Sequence, residues 1–86
     1  MRYFVQFIHQ GAPYFVFPTG ANPARLQSLA EGIIRNYFGK NSDNPQSVPP
    51  DPRIPNEVRI VDSVGQTVAK WSLAEEYSRR QKMSAS

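Results

Sequence analysis

The sequence predicts an α+β domain of ββα-ββ-α order: a four-stranded antiparallel sheet, one long helix packed across it, and a short C-terminal helix. Three observations carry this prediction. Two pairs of short β-branched and aromatic runs are each split by a glycine-bearing turn. An amphipathic segment with its own start signal lies between the pairs. A serine-capped segment follows the second pair.

Arg2 to His9 is the first strand, dominated by Tyr, Phe, Val and Ile. Gln10-Gly11-Ala12-Pro13 supplies a four-residue turn, and Tyr14 to Phe17 returns as the second strand. With that turn His9 faces Tyr14 and Ile8 faces Phe15. One face then holds Phe4, Gln6, Ile8, Phe15 and Phe17, and the other Tyr3, Val5, Phe7, His9, Tyr14 and Val16.

Asn22-Pro23 announces the long helix, with Asn as N-cap and Pro at the first helical position. Leu26, Leu29, Ala30, Ile33, Ile34 and Tyr37 recur at three- and four-residue steps and so share a face, while Gly39 suits the stop. Gly32, inside the helix, costs up to ~1 kcal/mol relative to alanine, for no reason visible in the sequence. The stretch 40–56 holds five of the eight prolines and reads as an extended loop, since proline lacks the N–H a ladder needs.

Glu57 to Asp62 and Thr67 to Leu73 form the second hairpin around Ser63-Val64-Gly65-Gln66. If Asp62 faces Thr67, then Val58, Ile60, Ala69 and Trp71 gather on the core face, and Arg59 meets Lys70 on the other. Ser72-Leu73-Ala74-Glu75 matches a capping box, opening a helix to about Lys82. Glu75–Arg79 and Glu76–Arg80 are i,i+4 pairs along it. Residues 1–82 thus form a single domain, with 83–86 a frayed tail.

The opening MRYFVQFI, hairpin and capped helix resemble the first half of ubiquitin-like chains. The likeness covers under half the sequence and implies a β-grasp with a mixed sheet as the alternative topology. The sequence ends in Ser-Ala-Ser, without the Gly-Gly that conjugation uses.

Composition narrows the function. Cysteine is absent, which excludes disulfides, thiolate catalysis and cysteine-ligated zinc. No run approaches the ~20 apolar residues of a membrane span, so a soluble, cytoplasmic chain without membrane attachment is expected. The net charge of +3 comes largely from Arg79, Arg80 and Lys82 near the end of the chain. His9 is the single histidine, too few for a metal site and with no neighbouring carboxylate in sequence. Asp43, Asp51 and Asp62 fall in loops or at a turn, so catalysis would require them to converge on His9. No catalytic, cofactor, metal or small-molecule site is predicted.

Both faces of the first hairpin are apolar, yet one helix covers only one face of a sheet. The C-terminal helix through Leu73 and Tyr77, the proline-rich loop, a second copy or a dedicated partner must cover the other. The expected function is a non-enzymatic protein-binding module, a homodimer or an accessory or inhibitor subunit. Small cysteine-free chains of this type are common in bacterial and phage genomes, where they often cap another protein. Candidate contacts are Tyr3, Phe7 and Tyr14, or the opposite set Phe4, Phe15 and Phe17, with Arg53 on the loop. The segment SVPPDPRIP reads either as a stiff connector or as a proline-type ligand. The alternative is binding of RNA or single-stranded nucleic acid by an aromatic-basic sheet face with Arg59, Lys70, Arg79, Arg80 and Lys82.

Overall fold

The computed structural model describes residues 2–38 and 53–84. In order they form β1 (Tyr3–His9), β2 (Ala12–Thr19), a 3-10 turn (Pro23–Arg25) leading into α1 (Leu26–Phe38), β3 (Glu57–Val61), β4 (Thr67–Ser72) and α2 (Leu73–Ser84). The strands make one antiparallel sheet in the order β2-β1-β3-β4. The predicted four-stranded sheet and element order hold. Because every pairing is antiparallel, the mixed β-grasp sheet does not occur.

The first hairpin differs from the expected register. Its turn is only Gln10-Gly11, with φ of 55° and 78°. Positive φ at both central positions is the type I′ geometry that closes a hairpin in two residues. His9 therefore pairs with Ala12 and Ile8 with Pro13. A bulge between Phe7 and Ile8 then skips Tyr14, so that Phe7 meets Phe15 and Val5 meets Phe17. The change of register turns Phe15 and Phe17 over to the face of Val5 and Phe7, and sends Val16 to the face of Phe4 and Gln6.

The second hairpin keeps the predicted core register, Val58 opposite Trp71 and Ile60 opposite Ala69. Thr67 pairs with Val61 in place of Asp62, and a bulge skips Val68. Asp62 serves the turn instead. Its Oδ1 accepts the N–H groups of Val64 (3.0 Å) and Gln66 (2.9 Å), while Gly65 takes a φ of 87°.

Tyr3, Val5, Val58, Ile60 and Ala69 on one sheet face pack against Leu26, Ala30 and Ile34 of α1 and Leu73 of α2. The start of α1 follows its sequence signal: Asn22 Oδ1 accepts the Ala24 N–H at 3.0 Å, one residue after Thr19 and Ala21 have closed a small turn. Gly39 and the greater part of the proline-rich loop lie outside the described residues. Where the chain re-enters, Pro55 is fully buried. The Asn56 N–H donates to the Ile8 carbonyl and its own carbonyl accepts from Leu73, so one residue ties the end of β1 to the start of α2. The capping box forms reciprocally: the Ser72 N–H donates to Glu75 Oε2 (2.8 Å) and the Glu75 N–H to Ser72 Oγ (3.2 Å). The helix so begun runs to Ser84, making Met83 helical, where a frayed tail was expected.

Candidate interaction surface

Helix α1 rests chiefly on β3 and β4. Its innermost row, Leu26, Ala30 and Ile34, is buried, whereas Leu29, Ile33 and Tyr37, one step around the helix, are half-buried. This second row looks across an open groove of about 430 Å³ towards Phe7 and Phe17, with Ser28, Gly32 and Asn36 along the outer side. Among the described residues no Lys, Arg, Asp or Glu lines it.

On the hairpin side of the groove the corrected register assembles a ring cluster. Phe7 is its hub, with ring centroids of Phe17 at 5.6 Å, Phe15 at 5.7 Å, Tyr37 at 6.1 Å and Tyr14 at 6.3 Å. All fall within the usual range for favourable aromatic pairs. The inner rings, Phe7, Phe17 and Tyr37, are half-buried, but Phe15 keeps 53% and Tyr14 43% of their surface exposed. The Tyr14 hydroxyl donates to the Arg53 carbonyl at 3.1 Å, anchoring the incoming segment to this ridge. His9 stacks edge-on against Tyr14, and its Nδ1 is buried with no hydrogen-bond partner among the described residues.

The surface therefore draws on both predicted sets. Phe7, Tyr14, Phe15 and Phe17 come together, Arg53 borders them, Tyr3 is consumed by the core, and Phe4 lies half-buried on the reverse face. Helix α2, one of the coverings expected for that reverse face, instead lies beside α1 and β4 with Leu73 in the same core. The reverse face carries Phe4, Gln6, Val16, Arg59 and Lys70, together with the buried Ile8 and Val61. Arg59 does face Lys70, and the like charges are offset by Glu57, whose Oε2 is 2.6 Å from Arg59 Nε.

Sequence spacing misplaces one residue of consequence. Glu76, half of an i,i+4 pair expected along the surface of α2, is fully buried. It accepts hydrogen bonds from Arg80 Nε (2.9 Å), Arg35 Nε (3.0 Å) and Trp71 Nε1 (3.0 Å), so a single carboxylate joins α2, α1 and β4. Burial raises its pKa, but hydrogen bonds from Arg80, Trp71 and Arg35 and the charge of Arg35 outweigh that and hold it below the usual carboxylate value. Arg35 is braced further by Glu31 at 2.7 Å, and the Arg80 guanidinium lies 4.0 Å from the Phe38 ring centroid. Glu75 uses its carboxylate on the cap, and Arg79 turns to Met83 Sδ and towards Glu76. The signal that could have found this site is periodic: Glu76 falls on the inward face that Leu73 and Tyr77 define. Lys82, with Trp71 and Arg79, lines a second shallow groove along α2.

Among the described residues no three His, Cys, Asp or Glu side chains gather as a metal site, and no helix is long and apolar enough to cross a membrane. Asp43 and Asp51 lie outside those residues, and Asp62 is occupied by its turn. No protein-family model, curated protein or solved structure matches the chain.

Proposed function

We propose that this chain is a small non-enzymatic protein-binding module, self-associating or acting as an accessory subunit, whose contact surface is the ring cluster of β1, β2 and α1. One observation carries the reading: Tyr14 and Phe15 stand exposed above half-buried rings, beside a groove whose described lining is uncharged. A large ring left in water forgoes roughly 1.5–3 kcal/mol of burial, which a partner seated there would recover. Exposed apolar surface continuous with a groove is the usual mark of a contact site.

The mode of contact follows from β2. It is an edge strand, the position where sheets add strands, but it contains Pro13 and Pro18. Proline offers no N–H to a further strand. At this edge, docking on the ring face is therefore favoured over sheet extension. The lack of cysteine supports a reducing, cytoplasmic setting. The nucleic-acid reading requires rings and cations on one face, whereas Arg59 and Lys70 lie across the sheet from Phe7, Phe15 and Phe17.

The test is capture of protein from cell lysate together with light-scattering mass, comparing the natural chain with Phe15→Glu. The expected result is an assembly or a captured protein that the Phe15→Glu chain loses while its thermal midpoint is retained. A natural chain that is strictly monomeric, and that captures only what Phe15→Glu also captures, refutes the reading.

A further inference from the structure

We infer that Gln27 and Glu75 plug the outer edge of β4, so that, with the prolines of β2, the sheet accepts no added strand at either side. This holds whether or not the ring cluster binds a partner. It excludes one class of contact, strand addition, for a second copy and for other proteins alike.

In an antiparallel sheet the N–H and C=O of one residue point to the same side, and those of its neighbours to the other. The Leu73 N–H donates to the Asn56 carbonyl, 3.0 Å away and just before β3. Leu73 and Trp71 thus turn their backbone groups inward, while Ser72 and Lys70 turn theirs to the side of β4 away from β3. Those outward groups are met by side chains from both helices. Gln27 Nε2, on α1, donates to the Lys70 carbonyl at 3.0 Å. Glu75 Oε2, on α2, accepts the Ser72 N–H at 2.8 Å. The Ser72 carbonyl, at the helix cap, is committed to the first turn of α2. That leaves the Lys70 N–H, and beyond it the bulge at Val68 breaks the ladder.

The same alternation runs across the sheet to β2. Arg59, opposite Lys70, turns towards β1, and Gln6, opposite Arg59, turns towards β3. Val16, opposite Gln6, therefore turns out of the sheet, as does Pro18 two residues on. Past the bulge, Ile8 gives its carbonyl to Asn56 on the β3 side, so Pro13 opposite it turns outward as well. The prolines thus stand at outward positions, where an incoming strand needs an N–H that they lack. The two edges are closed by different means. β2 is closed by its own residues, and β4 by side chains that reach it because α1 and α2 pack beside it.

The experiment is analytical ultracentrifugation of the full chain over a concentration series, with backbone amide exchange read residue by residue. Every arm carries Phe15→Glu, which removes the exposed ring, so the outcome is independent of the ring-cluster reading. The Phe15→Glu chain is expected to form no strand-paired assembly, and its Lys70 amide to exchange quickly. Adding Gln27→Ala and Glu75→Ala frees the Lys70 carbonyl and the Ser72 N–H while Ser72 Oγ still caps α2. Two backbone hydrogen bonds made available to a second strand should strengthen self-association on the order of tenfold. The Lys70 amide should become protected as the assembly grows.

A folded double-plug variant whose mass and Lys70 exchange match those of the Phe15→Glu chain overturns the inference. So does a Lys70 amide already protected in the Phe15→Glu monomer, because another segment then pairs there. If the double-plug variant loses its thermal transition, Gln27→Ala alone decides, since it places a good helix former at an exposed position. It is expected to give a smaller gain in association with the same Lys70 protection, and no gain overturns the inference.

Discussion

Beneath α1, the half of the sheet formed by β3 and β4 is closed by Leu26, Ala30, Ile34 and Leu73, with Glu76 fastening α2 alongside through Arg35, Arg80 and Trp71. The half formed by β1 and β2 ends in rings whose outer members meet solvent, beside a groove that Leu29, Ile33 and Tyr37 only partly fill. Both halves are apolar, but α1 rests chiefly on β3 and β4. What separates them is the second layer: α2 packs on the β4 side, and no other described helix reaches the β2 side. One half spends its side chains on holding the fold, and the other leaves Phe15 and Tyr14 about half exposed.

The comparison breaks most sharply at its fastened end. Glu76→Ala leaves three donors facing an apolar side chain. Loss of one partner from a fully buried pair costs ~3–5 kcal/mol. Here the guanidiniums are 36% and 47% exposed and regain water, so about 3 kcal/mol is expected, read as a lower urea midpoint. That is a large part of the ~5–15 kcal/mol a domain possesses.

Acid acts on the same fastening. The Glu76 pKa is lower folded than unfolded, so the unfolded chain takes up the proton more readily. Its contribution is complete above the unfolded value, about 4.3, and is lost as pH falls through the folded value. Stability against pH should thus drop more steeply below pH ~4 in the natural chain than in Glu76→Gln. Equal slopes in urea titrations at several pH values would show that this carboxylate does not govern the acid limb.

On the open half, Phe7→Ala removes the hub of four ring contacts. Fully buried Phe→Ala changes cost ~3–5 kcal/mol, and half-burial reduces this to about 2 kcal/mol, measurable by thermal or chemical denaturation. Gly32→Ala should move stability the other way, by ~0.5–1 kcal/mol, because the methyl group enters open space in a helix. The smallest effect belongs to Phe15→Ala. In the dilute monomer it should stay within ~0.5 kcal/mol, as surface changes do, although Phe15 is the same residue type as Phe7 and its partner across the ladder. A large loss there at low concentration would erase the distinction between holding rings and presenting rings.

Most of the architecture could be read from local signals. Asn22-Pro23 starts the long helix, Ser72 and Glu75 start the short one, and Val58, Ile60, Ala69 and Trp71 form the predicted core face. The candidate surface was legible as composition but not as geometry. Its hairpin rings all stand out in the sequence, yet the expected four-residue turn divides them between two faces, and only the bulge that skips Tyr14 gathers Phe15 and Phe17 beside Phe7.

The order of the elements, their caps and the inward row of α1 were determined by the sequence alone, because each depends on residues within a turn or two of one another. Three features were decided only by the tertiary structure. The bulge at Tyr14 put Phe15 and Phe17 on the face of Phe7, the seating of α1 over β3 and β4 opened the groove, and the meeting of three elements buried Glu76. The physical reason is shared: strand side chains alternate faces, so a single-residue shift in pairing inverts them, and a charge is buried only where distant chain segments converge to satisfy it.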